Sequence, residues 1–231
     1  MTSTYQVLIT GTNRGIGLEF VRQYAQDGWH VFACCRAPEN ATDLQALAEA
    51  HSNIQILSLD VADFKQIDAL ALHLKDEKID VLINNAGIYP DSRMGDVNTD
   101  DWLDAFKVNS MAPLKMAEAF TSHIAKSQLK KIATMSSKMG SIDDNTSGGS
   151  YIYRSSKVAA NMVMKSLSID LKSFGISVVT LHPGWVLTEM GGPNALIDTK
   201  TSVSGLRRVI ENLTLNTTGQ FVAYDGKAIN W

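Results

Sequence analysis

Val7-Leu-Ile-Thr10-Gly-Thr-Asn-Arg14-Gly-Ile-Gly17 carries the reading of the fold. Val7 to Thr10 is a short apolar run with the length of a buried strand, and the residues from Gly15 to Asp27 have helical periodicity. Between them lie Gly11, Gly15 and Gly17, with Asn13, Arg14 and Ile16 interspersed. Glycines after a strand let backbone amides approach a pyrophosphate, and the start of the helix adds N–H donors and a favourable dipole. The spacing, Gly11-x3-Gly15-x-Gly17, departs from G-x-G-x-x-G, so that fingerprint is not what is present. A glycine-rich turn of no special function has the same appearance; position, strand and helix together favour a nucleotide.

Working outward, apolar runs alternate with helical patterns along the chain. Strands are expected at His30–Arg36, Ile54–Leu59, Ile79–Ile83, Lys131–Met135, Ile176–Leu181 and Gln220–Ala223. Helices are expected from about Ala41 to Ala50, Phe64 to Leu74 behind the N-cap Asp63, Asp100 to Lys126, Tyr151 to Phe174 and Thr199 to Leu213. Pro113 should kink the third of these or relax a turn, and Gly175 is a suitable residue to end the fourth. Regular β-α alternation with wholly apolar strands predicts an α/β fold, a doubly wound parallel sheet with helices on both faces. No linker or repeat interrupts it, so residues 1–231 read as one domain that holds its own catalytic site.

Composition narrows the function. The chain is 45% hydrophobic and 19% charged, too apolar for disorder. A net charge of −3 supplies no field for nucleic acid or an anionic membrane. No apolar run approaches a membrane span, and the N-terminus lacks a basic leader. The two cysteines, Cys34 and Cys35, are adjacent and read as a reduced pair, so a cytoplasmic protein is expected. His30, His51, His73, His123 and His182 show no ligand spacing, and no metal site is expected.

Two further clusters carry chemistry. Tyr153 and Lys157 stand four residues apart on an expected helix, so phenol and ammonium share a face. A fixed positive charge favours the phenolate, which makes the pair a proton-transfer device as well as a common coincidence of helical spacing. The end of the second strand, Cys34-Cys35-Arg36, lacks the acid that would hold a ribose 2′-hydroxyl. Arg14 and Arg36 suit a 2′-phosphate instead, which predicts NADP(H) over NAD(H), although Arg36 also suits a solvated strand end. Asp60 closes the third strand, either accepting from an adenine amino group or capping its own loop.

Taken together, Thr10-Gly-x-x-x-Gly-Ile-Gly17, Asp60-Val61, Asn84-Asn-Ala-Gly87, Asn109, Ser136-Ser137-x-x-Gly140, Tyr153-x-x-x-Lys157 and Pro183-Gly184 resemble the short-chain dehydrogenase/reductase family over essentially the whole chain. Ser137 to Ile142, His182 to Val186 with Thr188, and Tyr224-Asp-Gly look like its C-factor/sniffer-like carbonyl reductase branch. The resemblance implies a single-domain Rossmann-like sheet of seven strands in the order 3-2-1-4-5-6-7. It implies Tyr153 as general acid, Lys157 as its tuner and a ligand of the nicotinamide ribose, Ser137 rather than Ser136 polarising the carbonyl, and Asn109 holding a relay water. It further implies Asn85, Ala86 and Gly87 along the adenosine ribose side, Pro183, Gly184 and Val186 at the nicotinamide, and Thr188 on the carboxamide or phosphate. A small carbonyl or alcohol is the implied substrate, and a homodimer or homotetramer the implied assembly. The stretch from Ser137 to Tyr153 is longer than the family's usual gap, with the surplus in loop 143–149.

Met94, Met135, Met139, Met190, Tyr89 and Trp185 either line the substrate pocket or pack the core and rim. Residues 187–203 are the expected substrate lid, and Trp231 is expected to pack back onto the subunit or a neighbour. A second function class keeps the cofactor and drops catalysis: a developmental signalling or interaction protein of the C-factor type. An intact Asn109, Ser137, Tyr153 and Lys157 favours the enzyme.

Overall fold

The computed structural model describes residues 5–231. Its centre is one sheet of seven parallel strands in the order β3-β2-β1-β4-β5-β6-β7. The strands are β1 (Gln6–Thr10), β2 (His30–Cys35), β3 (Ile54–Ser58), β4 (Val81–Asn84), β5 (Lys131–Met135), β6 (Ser177–His182) and β7 (Gln220–Ala223). Side chains alternate along each strand, so Val7 and Ile9 enter one core while Leu8 enters the other. Burial on both faces is why the central strands are apolar throughout rather than alternating.

Helices α1 (Gly15–Gln26), α2 (Thr42–Ala50) and α7 (Thr199–Glu211) cover the first face, through Phe20, Leu44 and Leu206 among others. Helices α3 (Phe64–His73), α5 (Ala112–Ala125) and α6 (Tyr151–Asp170) cover the second, through Ile67, Phe120 and Met164. Asp63 caps α3 as expected, accepting from the Lys65 N–H. The strand order reverses between β1 and β4, which opens a crevice at their carboxyl ends.

Beyond shifts of one or two residues at element ends, three stretches differ from expectation. The helix foreseen from Asp100 to Lys126 is α4 (Thr99–Phe106) and α5 joined by a π-helical turn, Lys107–Met111, in which the Ala112 N–H reaches the Lys107 carbonyl. Pro113 has no N–H to donate, and the chain accommodates it by relaxing the turn ahead of the proline, one of the two outcomes expected of it. Strand β4 begins at Val81, because Ile79 donates to the His123 carbonyl and the Asp80 carboxylate binds the Gln6, Gln128 and Leu129 N–H groups. Helix α6 tightens into a 3-10 turn over Leu171–Phe174 before Gly175, whose φ of +73° reverses the chain.

Candidate active site

The glycine turn is fixed by a lack of room. A Cβ on Gly17 would stand 2.0 Å from the Gly11 carbonyl oxygen, and one on Gly11 would stand 2.9 Å from the Ala86 Cα. Gly11 and Gly15 also have φ of +70° and +56°, which side chains resist. From β4, Asn85 donates its amide to the Thr10 and Gly11 carbonyls at 2.9 and 3.0 Å. In return Thr10 Oγ1 accepts the Asn85 and Ala86 N–H groups. Asn85 thus braces the turn rather than facing outward. A backbone cradle that any Cβ would fill, opening helix α1, fits a dinucleotide phosphate.

The expected cofactor residues collect at this end of the sheet. Asn13 and Arg14 are exposed on the turn, and Arg36 is exposed at the end of β2. Arg14 pairs with Glu189, whereas Arg36 forms no ion pair among the described residues. Asp60 uses Oδ1 to accept from the Ala62 N–H, and Val61 beside it is buried. Thr188 lies against the turn, its Cγ2 3.3 Å from where a Gly15 Cβ would stand. Pro183 accepts from Ser202, and Gly184 turns with φ of +86° against Ile197 and Tyr224.

Helix α6 brings Tyr153 and Lys157 to the ends of β4 and β5. The rings of Tyr153 and Tyr89 are 4.4 Å apart, and Lys157 Nζ lies 5.6 Å from the Tyr153 ring centre. Lys157 Nζ donates to the Met135 carbonyl at 2.9 Å. Burial pushes the Tyr153 phenol up to about 12, against a lowering effect of the Ser137 hydroxyl, and pushes the Lys157 ammonium down to about 8. Burial therefore outweighs any help the ammonium gives the phenolate, and the phenol holds its proton at neutral pH. Burial sets the net direction of this shift, and Lys157 is not among the groups that set it.

Asn109 sits in the π-helical turn, 1% exposed. Its side chain accepts from the Ile88 N–H and donates to the Ile88 carbonyl and Ser156 Oγ, each at 2.9 Å. Gly87 separates it from Lys157: a Cβ there would lie 3.2 Å from Asn109 Oδ1 and 3.5 Å from Lys157 Nζ. Ser137 leads out of β5 into a 3-10 turn, Lys138–Gly140, and its Oγ accepts from the Met139 N–H at 3.2 Å. Ser136 is fully engaged elsewhere, donating to Asn161 Oδ1 at 2.6 Å in the core.

On the substrate side, Tyr89, Met94, Trp185 and Met190 are exposed, whereas Met135 is core. Loop 143–149 runs along the surface, tied by Lys138 to Asp144 and by Arg154 to Ser147. The expected lid 187–203 divides at Asp198, which caps α7; Ser202 and Val203 beyond it are buried. Trp231 stacks on Phe221, their centres 5.6 Å apart. Among the described residues no helix is long and apolar enough to cross a membrane, and no cluster of His, Cys, Asp or Glu is placed to hold a metal. Three supporting residues went unread in the sequence: Asn161, Ser156 and Glu189. Asn161 alone left a signal, standing four residues beyond Lys157 on the same helical face.

A family model described as short chain dehydrogenase matches residues 5–196. The C-signal of Myxococcus xanthus is 41% identical over 164 residues, covering 71% of this chain and 99% of the relative. The solved carbonyl reductase Sniffer of D. melanogaster is 40% identical with a TM-score of 0.92, covering 99% of this chain and all of that one. The NADPH-bound carbonyl reductase from chicken fatty liver is 36% identical with a TM-score of 0.93, covering 99% of both chains.

Proposed function

The chain belongs to the short-chain dehydrogenase family, and from that premise we propose that it is an NADPH-dependent carbonyl reductase acting on a small aldehyde or ketone. One observation carries the reading: the Tyr153 phenol, Ser137 hydroxyl and Lys157 ammonium converge beside a phosphate-fitting glycine turn. The likeness to two solved carbonyl reductases, one bound to NADPH, supports it.

When bound, NADPH supplies the hydride. Tyr153, protonated at neutral pH, gives its phenolic proton to the carbonyl oxygen as charge develops there. Ser137 Oγ already accepts the Met139 N–H, which leaves its own proton to donate to the same oxygen. Lys157, with its pKa near 8, exchanges protons readily enough to restore the phenol. The Asn109 side chain is spent on Ile88 and Ser156, so a relay water falls to its main-chain carbonyl, toward which Pro113 has no N–H to donate. Arg36 is the cation proposed for the 2′-phosphate, with Arg14 joining it if Glu189 lets go, and this supports NADP(H) over NAD(H). Asp60 Oδ2 remains to accept from the adenine. A cytoplasmic homodimer or homotetramer is the corresponding proposal for its setting.

NADPH consumption should be screened against aldehydes, diketones, quinones and pterins, with Tyr153→Phe beside the wild type. The variant should keep its NADPH affinity and lose turnover by a factor of about 10²–10⁴, the worth of a positioned general acid. Undiminished turnover would sink the assignment. The second reading, a cofactor-binding signalling protein with little turnover, draws on the likeness to the C-signal. Tight NADPH binding with no substrate in the panel would favour it.

A further inference from the structure

The Ser137 turn is held from outside by a histidine that the reaction itself does not use. His182 ends β6, paired with Ala223 of β7 on one side and next to β5 on the other. Its Nδ1 lies 3.2 Å from the backbone nitrogen of Lys138, the residue after Ser137. A backbone N–H only donates, so Nδ1 accepts and the ring proton resides on Nε2. The charged groups around the ring are Lys138 and Asp144, ion-paired at 2.9 Å after β5, and Asp225, paired with Lys227 at 2.8 Å after β7.

The other contacts of the turn have separate duties. The Met139 N–H goes to Ser137 Oγ and the Gly140 N–H to the Ser137 carbonyl. The Gly140 carbonyl accepts from Asn161 at 2.9 Å. Gly140 itself abuts Lys157, where a Cβ would stand 2.8 Å from the Lys157 Cβ. Only His182 holds the Lys138 N–H. Without it that exposed donor turns to water or to Ser137 Oγ, and where it takes the hydroxyl oxygen it competes for the lone pairs that set where the hydroxyl proton points.

We propose that His182 is a positioning residue whose neutral imidazole, through Nδ1, anchors the Lys138 N–H and so aims the Ser137 hydroxyl at the substrate oxygen. The inference rests on the carbonyl reductase reading for its effect on turnover. Burial, with help from the Lys138 charge and against Asp144 and Asp225, pushes the imidazole down to about 4, so the acceptor persists at any ordinary working pH.

Three variants test it. His182→Asn puts a carbonyl oxygen where Nδ1 stands, His182→Gln carries one out toward the Nε2 position, and His182→Phe offers none. Turnover should survive in His182→Asn within about threefold and fall about tenfold or more in the other two, with KM for NADPH unchanged in all three. Amide exchange at Lys138, followed by NMR, should stay slow in wild type and His182→Asn and quicken about tenfold in His182→Gln and His182→Phe. Equal turnover in all four proteins, or a loss that His182→Asn shares, would overturn the proposal. If His182→Phe does not fold, the Asn and Gln pair decides alone. If the wild type reduces nothing in the panel, the carbonyl reductase reading falls and exchange still decides the anchor: equal rates across the variants remove it.

Discussion

Two turns leave the carboxyl ends of the sheet, and they are held by opposite means. The turn after β1 is held first by sterics: Gly11 and Gly17 have no space for a side chain, and the Asn85 and Thr10 side chains then bond the backbone in place. The turn after β5 is held by polar side chains from two other elements, Asn161 of α6 and His182 of β6, with the Ser136 hydroxyl behind Asn161. Close packing suits a surface that must meet a phosphate with main-chain donors. Directed hydrogen bonds suit a hydroxyl whose orientation decides whether charge on one oxygen is stabilised. The first device tolerates no added atom; the second tolerates substitution only where an acceptor returns to the same place.

Adding one methyl group to the first turn is the harshest way to break that contrast. In Gly17→Ala the Cβ would lie 2.0 Å from a carbonyl oxygen and 2.6 Å from Asn85 Nδ2. The carbonyl cannot swing away as a flexible side chain would, so the turn or the helix behind it must move. A stability loss at or above about 3 kcal/mol is expected, with NADPH affinity reduced by a factor of about 100 or more. Thermal melts and titration calorimetry check both numbers. Retained affinity would mean that the turn is not held by sterics. The imidazole substitutions are the matching probe of the second turn, and they should spare cofactor binding.

Removing a charge at the rim of the first turn has a smaller effect. Arg36 is exposed and forms no ion pair among the described residues, while Arg14 is engaged by Glu189. Arg36→Ala should therefore weaken NADPH by about 10- to 100-fold, the worth of a charge-assisted bond to phosphate, and leave NADH unchanged. Parallel titrations with the two cofactors give the ratio. Loss of affinity for both alike would place Arg36 outside the 2′-phosphate site.

The same contrast explains what could be read in advance. The positions of strands and helices and the glycine turn follow from patterns that recur locally, apolar runs, a 3.6-residue period and glycines at set spacings, whereas the strand order comes from the family resemblance. Tyr153 and Lys157 were legible for the same reason, being one helical turn apart. The polar supports were not, because Asn161, Ser156 and His182 act across 21 to 47 residues of chain, and nothing in the spacing of a lone polar residue says what it will meet. The π-helical turn was half legible. Pro113 announced a disturbance, but its placement over Lys107–Met111 depends on Asn109 finding Ile88 and Ser156. The expected lid, 187–203, runs into the helix expected from Thr199: the Asp198 side chain accepts the Thr201 N–H and starts α7 there, so residues 199–203 belong to the helix.

The smallest effect distinguishes the two ionisable groups that share the second region. Lys157 has its folded pKa pushed from 10.5 down to about 8 by burial, so between these values the unfolded chain carries a proton that the folded one has lost. Stability therefore rises with pH across that window. Tyr153 is the reverse: its pKa rises from 10.0 to about 12, the folded chain keeps a proton that the unfolded chain releases, and stability falls from pH 10 upward. The buried Tyr24, raised to about 12, and Cys34 act in the same sense as Tyr153, and Lys131 in the same sense as Lys157. The informative quantity is thus the difference between wild type and variant. Lys157→Met should flatten the rise between pH 8 and 10, by the order of a few °C in Tm, and leave the fall above pH 10 in place. Tyr153→Phe should do the opposite, easing the fall and preserving the rise. Thermal melts over pH 7–11 measure both slopes. If Lys157→Met leaves the rise untouched, the ammonium is not buried in the folded enzyme, and its place between the Met135 carbonyl and the Tyr153 ring is wrong.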